Sequence, residues 1–210
     1  ITAILQHPNI VPIYDLGLDG FEKPFFTMKL LEGESLQSIL EQMPKGGKHR
    51  KEYDLPRLLD IFLKVGDPIA FAHSKGVLHL DLKPANIQVS GFGEVLGLDW
   101  GLAVVTGENQ EPDDDELFEV LDEQDPAGRT LHGAVKGSPG YMAPEQAREG
   151  RADHRSDQYA FCVSLYVALF RKHPLGEFSN LPEFIAQLET DDVSPPLADH
   201  QVPARIVTTI

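Results

Sequence analysis

The chain has 210 residues, 41% of them hydrophobic and 24% charged, with a formal net charge of −15, which suffices for one good core or two small ones. The acidic balance argues against a nucleic-acid binder, which needs a basic face, and no run reaches the roughly 18 consecutive apolar residues of a membrane span. The single cysteine, Cys162, rules out an internal disulfide and fits a reducing, cytoplasmic setting, and the start lacks the basic, apolar and small-residue regions of a signal peptide.

Residues 10 to 31 predict short strands: "IVPIYDLGL" and "PFFTMKLL" are rich in β-branched and aromatic residues and are joined by the turn-like "DGFEKP". A hairpin is expected. Leu36, Ile39, Leu40 and Met43 then recur at helical spacing, and the polar "PKGGKHRKEYD" predicts a loop. From Leu55 to Ser74 the apolar positions Leu58, Leu59, Phe62, Val65, Ile69 and Ala72 predict a long, mostly buried helix. Gly66 and Pro68 fall in its middle, where a proline costs about 3 kcal/mol and is expected to disturb it.

"GVLHLDLKPANIQVSGFGEVLGLDWG" alternates short strands with tight turns. Residues 108 to 125 come next, with ten Asp and Glu and no Lys or Arg, and predict a solvated loop. "SDQYAFCVSLYVALF" predicts an apolar helix capped by Ser156 or Asp157, and "LPEFIAQLE" a last amphipathic one. The first residue is Ile1, and "RIVTTI" breaks off inside an apolar pattern without a capping signal, so a piece of a longer protein is expected.

The chemistry concentrates in residues 79 to 101. Asp81, Lys83 and Asn86 share one turn after the apolar "GVL", and a hairpin closed at "SGFG" is expected to fold Asp99 back beside Asn86. Carboxylate and amide oxygens suit a hard cation such as Mg²⁺ that keeps substrate phosphates among its ligands. A nearby lysine neutralises phosphate charge, and a second carboxylate accepts a hydroxyl proton. Those are the parts that phosphoryl transfer needs. The bland alternative is a surface turn whose polar side chains cap it.

"HLDLKPAN" resembles the catalytic loop of protein kinases, "DWG" stands where that family has its metal-binding Asp-Phe-Gly, and "APE" at 143 to 145 matches Ala-Pro-Glu. "RSD" ending at Asp157 and "HPNIVPIYDLG" resemble further landmarks, and the wording "GSPGYMAPEQA" is similar to bacterial serine/threonine kinases. The resemblance spans essentially the whole chain. It implies a truncated α+β kinase-like fold, with residues 1–33 ending the amino-terminal lobe and 34–210 forming a truncated, mainly helical carboxy-terminal lobe. An acidic insertion at about 105–135 would lie in the activation segment.

The same resemblance implies roles. Asp81 would deprotonate the substrate hydroxyl, Lys83 steady the γ-phosphate, and Asn86 and Asp99 hold Mg²⁺. Ser138 would bond the catalytic aspartate and lysine. Met28 would be the gatekeeper, and the backbone of Lys29 to Leu31 the hinge that takes the adenine of ATP, with Gln88 near the pocket floor. Asp157 would hold the catalytic-loop backbone from below. Protein substrates are implied, with no nucleic acid and no membrane segment within this chain.

Several positions depart from the pattern. Leu80 replaces the arginine that pairs with a phosphorylated activation segment, which bears on regulation more than on chemistry. Gln88 puts an amide in an apolar floor, Gly97 is expected to weaken the strand before Asp99, and Glu145 is expected to lack its usual arginine partner. The glycine-rich phosphate loop and strand lysine do not occur in these residues, so the fragment is expected to be inactive alone. A pseudokinase that binds partners without transferring phosphate is the alternative reading. Thr106 and Thr130 are candidate phosphosites. His79 reads as structural, His7, His73 and His173 have no metal-ligand spacing, and Cys162 reads as an inert core residue.

Overall fold

The computed structural model describes residues 5–45, 48–97, 99–106, 138–190 and 202–203. The acidic stretch 108 to 125 and Thr130 lie outside the described residues.

The predicted hairpin is present: β1 (Ile13–Leu18) and β2 (Pro24–Met28) pair antiparallel, with Leu16 opposite Phe26. Asp19 closes its turn by accepting from the amides of Phe21 at 2.8 Å and Lys23 at 2.9 Å, the local bonding that makes aspartate a turn former. The remaining strands are short: β3 (Glu34–Ser35), β4 (Val77–Leu78), β5 (Ile87–Val89), β6 (Val95–Gly97) and β7 (Val104–Val105). β5 lies between β3 and β6 in one antiparallel sheet, and β4 pairs with β7.

Helix α1 (Leu36–Gln42) starts where the Ser35 hydroxyl accepts from Ser38 N, and it buries Leu36, Ile39 and Leu40. The stretch predicted as a loop after it holds a 3-10 turn, Met43–Lys45, and a short helix, α2 (Lys48–Glu52). That helix has no apolar face to betray it. A tertiary contact marks its place, with the His49 ring stacked on Tyr53 and bonded to Glu34 at 2.9 Å.

Helix α3 (Leu55–His73) opens on the Asp54 side-chain cap and buries Leu58, Ile61, Phe62, Val65, Ile69 and Ala72. It runs unbroken through Gly66 and Pro68, so the expected disturbance is not seen. Packing overrides the local cost: Pro68 is fully buried, and Phe161 sets its ring edge-on to Phe62 at 5.4 Å beside Gly66.

Towards the carboxy terminus come α4 (Pro144–Glu149), α5 (His154–Phe170) and α6 (Leu181–Leu188). The cap of α5 is Asp153, not Ser156 or Asp157 as the sequence suggested. Asp153 accepts from Arg155 N at 2.6 Å, while Ser156, inside the first turn, accepts in return from Asp153 N at 3.1 Å; this reciprocal box satisfies two otherwise orphaned amides. The main core gathers α1, α3 and α5 around β5 and β6, and a smaller cluster joins Met142, Ala147 and Phe184.

Candidate active site

Strand β4 delivers the chain to His79, and a buried carboxylate from α5 holds the backbone of His79 and Leu80. Asp157 is fully buried; it accepts from the amides of His79 and Leu80, each at 2.8 Å, and bonds the His73 ring at 2.7 Å. Burial alone would push its carboxyl up, but these three hydrogen bonds favour the charged form more strongly and hold it below the ordinary aspartate value. The Leu80 backbone sits in the left-handed region at φ 61°, a conformation that costs a non-glycine residue about 1–2 kcal/mol and persists only when it is held.

The turn so fixed presents Asp81, Lys83 and Asn86. Lys83 Nζ donates to Asp81 Oδ2 at 2.7 Å and to Ser138 Oγ at 2.6 Å. Asn86 closes the 3-10 turn Pro84–Asn86 and donates from Nδ2 to the Asp81 carbonyl at 2.8 Å and to Asp81 Oδ2 at 3.0 Å. Asp81 is 7% exposed, and its other oxygen, Oδ1, is buried without a partner among the described residues. One carboxylate oxygen is thus committed to a cation and an amide, and the other is bare. That arrangement accepts a proton from a hydroxyl brought within hydrogen-bond reach.

Asp99 reaches the same end of the sheet by a different route. The register Ile87 opposite Gly97 places Asn86 and Asp99 at one end of the β5–β6 pair. Gly97, expected to weaken this strand, is instead tied on its far side: its amide donates to Asn9 O at 2.7 Å and its carbonyl accepts from Val11 N at 3.3 Å. The Asn9 side chain adds a bond to Val95 O at 2.8 Å. Asp99 has φ 54° and is exposed, and its Oδ1 accepts from Gly101 N at 3.2 Å. The hydrogen bonds therefore join Asp81, Lys83, Asn86 and Ser138, while the one drawn by Asp99 stays within its own turn. Trp100 is buried, with its ring 4.5 Å from that of His79, so the two motifs are packed as one unit. His79 is itself buried and structural, its Nδ1 accepting from Asp81 N at 3.3 Å.

The oxygens of Asn86 and Asp99 are hard donors that fit Mg²⁺. With both Asn86 amide hydrogens spent on Asp81, its Oδ1 is the atom that would be left to ligate such a cation. Among the described residues no cluster of three or more His, Cys, Asp or Glu could hold a metal, and a cation that keeps substrate phosphates needs no such cage.

Around the segment between β2 and β3, Met28 is 44% exposed, and Lys29 donates from its amide to Pro12 O at 3.1 Å and from Nζ to Glu94 at 2.5 Å. Leu31 is half-buried. Gln88, on β5, donates to Glu32 O at 3.3 Å and so links the sheet to this segment. A cavity of about 400 Å³ is lined by Pro12, Lys29, Glu94 and Leu96; Asp81, Lys83 and Asn86 do not border it.

Glu145 accepts from the Ser156 hydroxyl at 2.7 Å, a neutral donor rather than the arginine of the family pattern. Thr106 bonds Gly76 O through both its amide and its hydroxyl. No local sequence signal points to the part played by Asn9, His73 or His173, because each acts across a long separation.

The protein kinase domain family matches residues 1–200. The chain belongs to that family. Its curated relatives are bacterial: it is 36% identical over 205 residues to the serine/threonine-protein kinase PknD of Protochlamydia amoebophila, covering 94% of this chain and 20% of that protein. It is 38% identical over 182 residues to PknD of Chlamydia trachomatis serovar D, covering 83% of this chain and 19% of the relative, and 34% identical over 209 residues to PknD of Chlamydia abortus, covering 93% and 21%. The chain thus spans about a fifth of the length of these relatives. Among the described residues no helix is long and apolar enough to cross a membrane.

Proposed function

We propose that the protein carrying these residues is a cytoplasmic serine/threonine kinase that transfers the γ-phosphoryl group of ATP to protein hydroxyls. Residues 1–33 end its amino-terminal lobe, and 34–210 form most of the other, with the acidic insertion at about 105–135 in the activation segment. The observation that carries the reading is the Lys83 ammonium shared between Asp81 and Ser138 while Asp81 Oδ1 stays bare.

Asp81 takes the proton of the attacking hydroxyl on Oδ1, which neither Lys83 nor Asn86 occupies. Lys83 steadies the γ-phosphate and donates to Oδ2. Asn86 and Asp99 would hold Mg²⁺, which would supply positive charge to offset the negative charge developing on the transferred phosphoryl group. The backbone of Lys29 to Leu31 receives the adenine, with Met28 and Gln88 at the edges of that pocket. The net charge of −15 favours basic protein substrates.

The test is phosphate transfer from ATP and Mg²⁺ to a basic protein by the full-length protein, beside its Asp81→Asn form. Loss of a general base is expected to lower the rate by about 10²–10⁴-fold. Equal transfer by both forms would remove Asp81 from the role, and no transfer from well-folded protein would favour the pseudokinase.

A further inference from the structure

We propose that His173 is a positioning residue for phosphotransfer: its imidazole, bonded to backbone on both edges, holds the Ser138–Tyr141 turn and so sets where Ser138 meets Lys83. The inference rests on the kinase reading above. His173 Nε2 lies 2.6 Å from Gly140 O, and Nδ1 lies 3.1 Å from Leu175 N. An amide N–H only donates, so Nδ1 is the acceptor and the single ring proton sits on Nε2, pointing at the Gly140 carbonyl. The neutral imidazole satisfies both bonds at once.

The clamp grips backbone that has little room to shift. Gly140 is buried, and a Cβ added there would lie 2.6 Å from Phe178 Cζ and 3.4 Å from His173 Nε2. Tyr141, Phe178 and Phe184 set their rings nearly edge-on to the imidazole at 6.2, 5.0 and 6.4 Å. The turn transmits the hold: Tyr141 N donates to Ser138 O at 2.9 Å and Met142 N to Pro139 O at 3.3 Å. Ser138 Oγ is in turn 2.6 Å from Lys83 Nζ, which bonds Asp81. From His173 to the reacting carboxylate there is one continuous path of hydrogen bonds and one short turn.

Protonating Nδ1 would set a ring N–H against the Leu175 N–H and break that edge of the clamp, while Nε2 goes on donating to the Gly140 carbonyl. Burial already holds the imidazole below the ordinary histidine value, and the Gly140 carbonyl opposes this only in part. The fold thus binds the proton more weakly than the unfolded chain. Both edges are therefore held above about pH 6.5, and the Leu175 edge is lost as pH falls from there toward the lowered folded value. The charged groups around the ring are otherwise engaged or turned outward. On α6 Glu183 accepts from Ser179 N and Asn180, and on α4 Glu145 accepts from Ser156. On α5 Asp157 holds the catalytic loop; in the segment after it Arg171 points at Met43 Sδ, and Lys172 and Glu177 are exposed. Burial pushes the Tyr141 hydroxyl up, away from this range.

The experiment compares the full-length protein with His173→Gln and His173→Asn, each checked for an unchanged unfolding midpoint. Glutamine reaches Gly140 with an amide donor that does not titrate; asparagine keeps an acceptor for Leu175 N but falls short of Gly140. Two readouts are taken between pH 8 and pH 5.5: hydrogen exchange of the Tyr141, Met142 and Leu175 amides relative to intrinsic rates, and kcat and KM for a basic protein substrate. Wild-type Leu175 protection should fall on the acid side while Tyr141 and Met142 stay protected, the Gln form should keep those two at every pH, and the Asn form should leave them unprotected throughout. Transfer by the Asn form should drop about tenfold to a hundredfold in kcat, with KM for ATP little changed, and Gln should restore it. Protection that ignores pH and both substitutions would overturn the proposal. So would an Asn form that loses protection yet transfers phosphate at the wild-type rate. Protection that behaves as expected in a protein with no transferase activity would support the clamp and overturn the kinase reading alone.

Discussion

Asp157 carries more of the site than any residue that would touch substrate. Three donors converge on its buried carboxylate, and one of them is the amide of Leu80, whose backbone needs an outside hold to stay at φ 61°. Asp157→Ala would orphan the buried His79 amide and the half-buried Leu80 amide, at about 1–3 kcal/mol for a buried group, and release that strain. Urea unfolding followed by Trp100, the chain's one tryptophan, should show a loss of about 3 kcal/mol with an unchanged slope. The acid side gives a second check. The folded carboxyl lies below the ordinary 3.8, so its stabilisation is complete above that pH and decays as pH falls toward the folded value. The gap between wild type and Asp157→Ala should therefore narrow below about pH 4; a gap that stays constant there would contradict the charged, bonded carboxylate. Leu80 brings no charge to the turn, so its side chain cannot receive a phosphate, yet its backbone serves the geometry.

At the scale of elements, Gly33 decides whether β3 can reach β5. It sits at φ 93°, and an added Cβ would collide with the Val89 carbonyl and lie 2.8 Å from Ser90 Cα, where no flexible side chain can yield. Gly33→Ala should cost at least about 2 kcal/mol and lower Tm by about 5 °C or more. Gly20→Ala, with nothing within 4 Å, serves as control and should leave Tm unchanged; equal effects of the two would refute the close approach. Elements with a periodic apolar face were legible in the sequence: the β1–β2 hairpin, α1, α3 and α6 fall where the spacing put them. What escaped has no such signature. α2 is polar on every side, and the α5 cap is Asp153, ahead of the two residues the sequence suggested and marked by its exchange with Ser156. The same limit applied to the site. Asp81, Lys83 and Asn86 are neighbours on one turn and could be read together, whereas Ser138 lies 55 residues from Lys83 and entered only through a family resemblance. The bond of Asp157 to His73 spans 84 residues, which no local pattern encodes.

Across the whole molecule, stability is divided unevenly. The helical part encloses a continuous core, but the β1–β2 hairpin leaves Tyr14, Leu16, Leu18 and Phe26 exposed at 67%, 62%, 65% and 58%. Leu16 and Phe26 are opposite each other in the register, so these side chains form one apolar face. A two-stranded hairpin is marginal in water by itself, and an apolar strand face of this kind favours association with another copy. The 210-residue chain taken alone is therefore expected to self-associate as concentration rises and to bind a hydrophobic dye such as ANS. The double substitution Leu16→Lys and Phe26→Lys should suppress both effects. It should leave the urea midpoint read at Trp100 unchanged, because that indole is buried against His79 in the helical core. Light scattering across a concentration series separates the outcomes. A chain that stays monomeric and dye-free would mean that the hairpin face is covered in solution. A fall in the Trp100 midpoint on double substitution would mean that hairpin and core unfold as one cooperative unit rather than as a stable body with a loosely held edge.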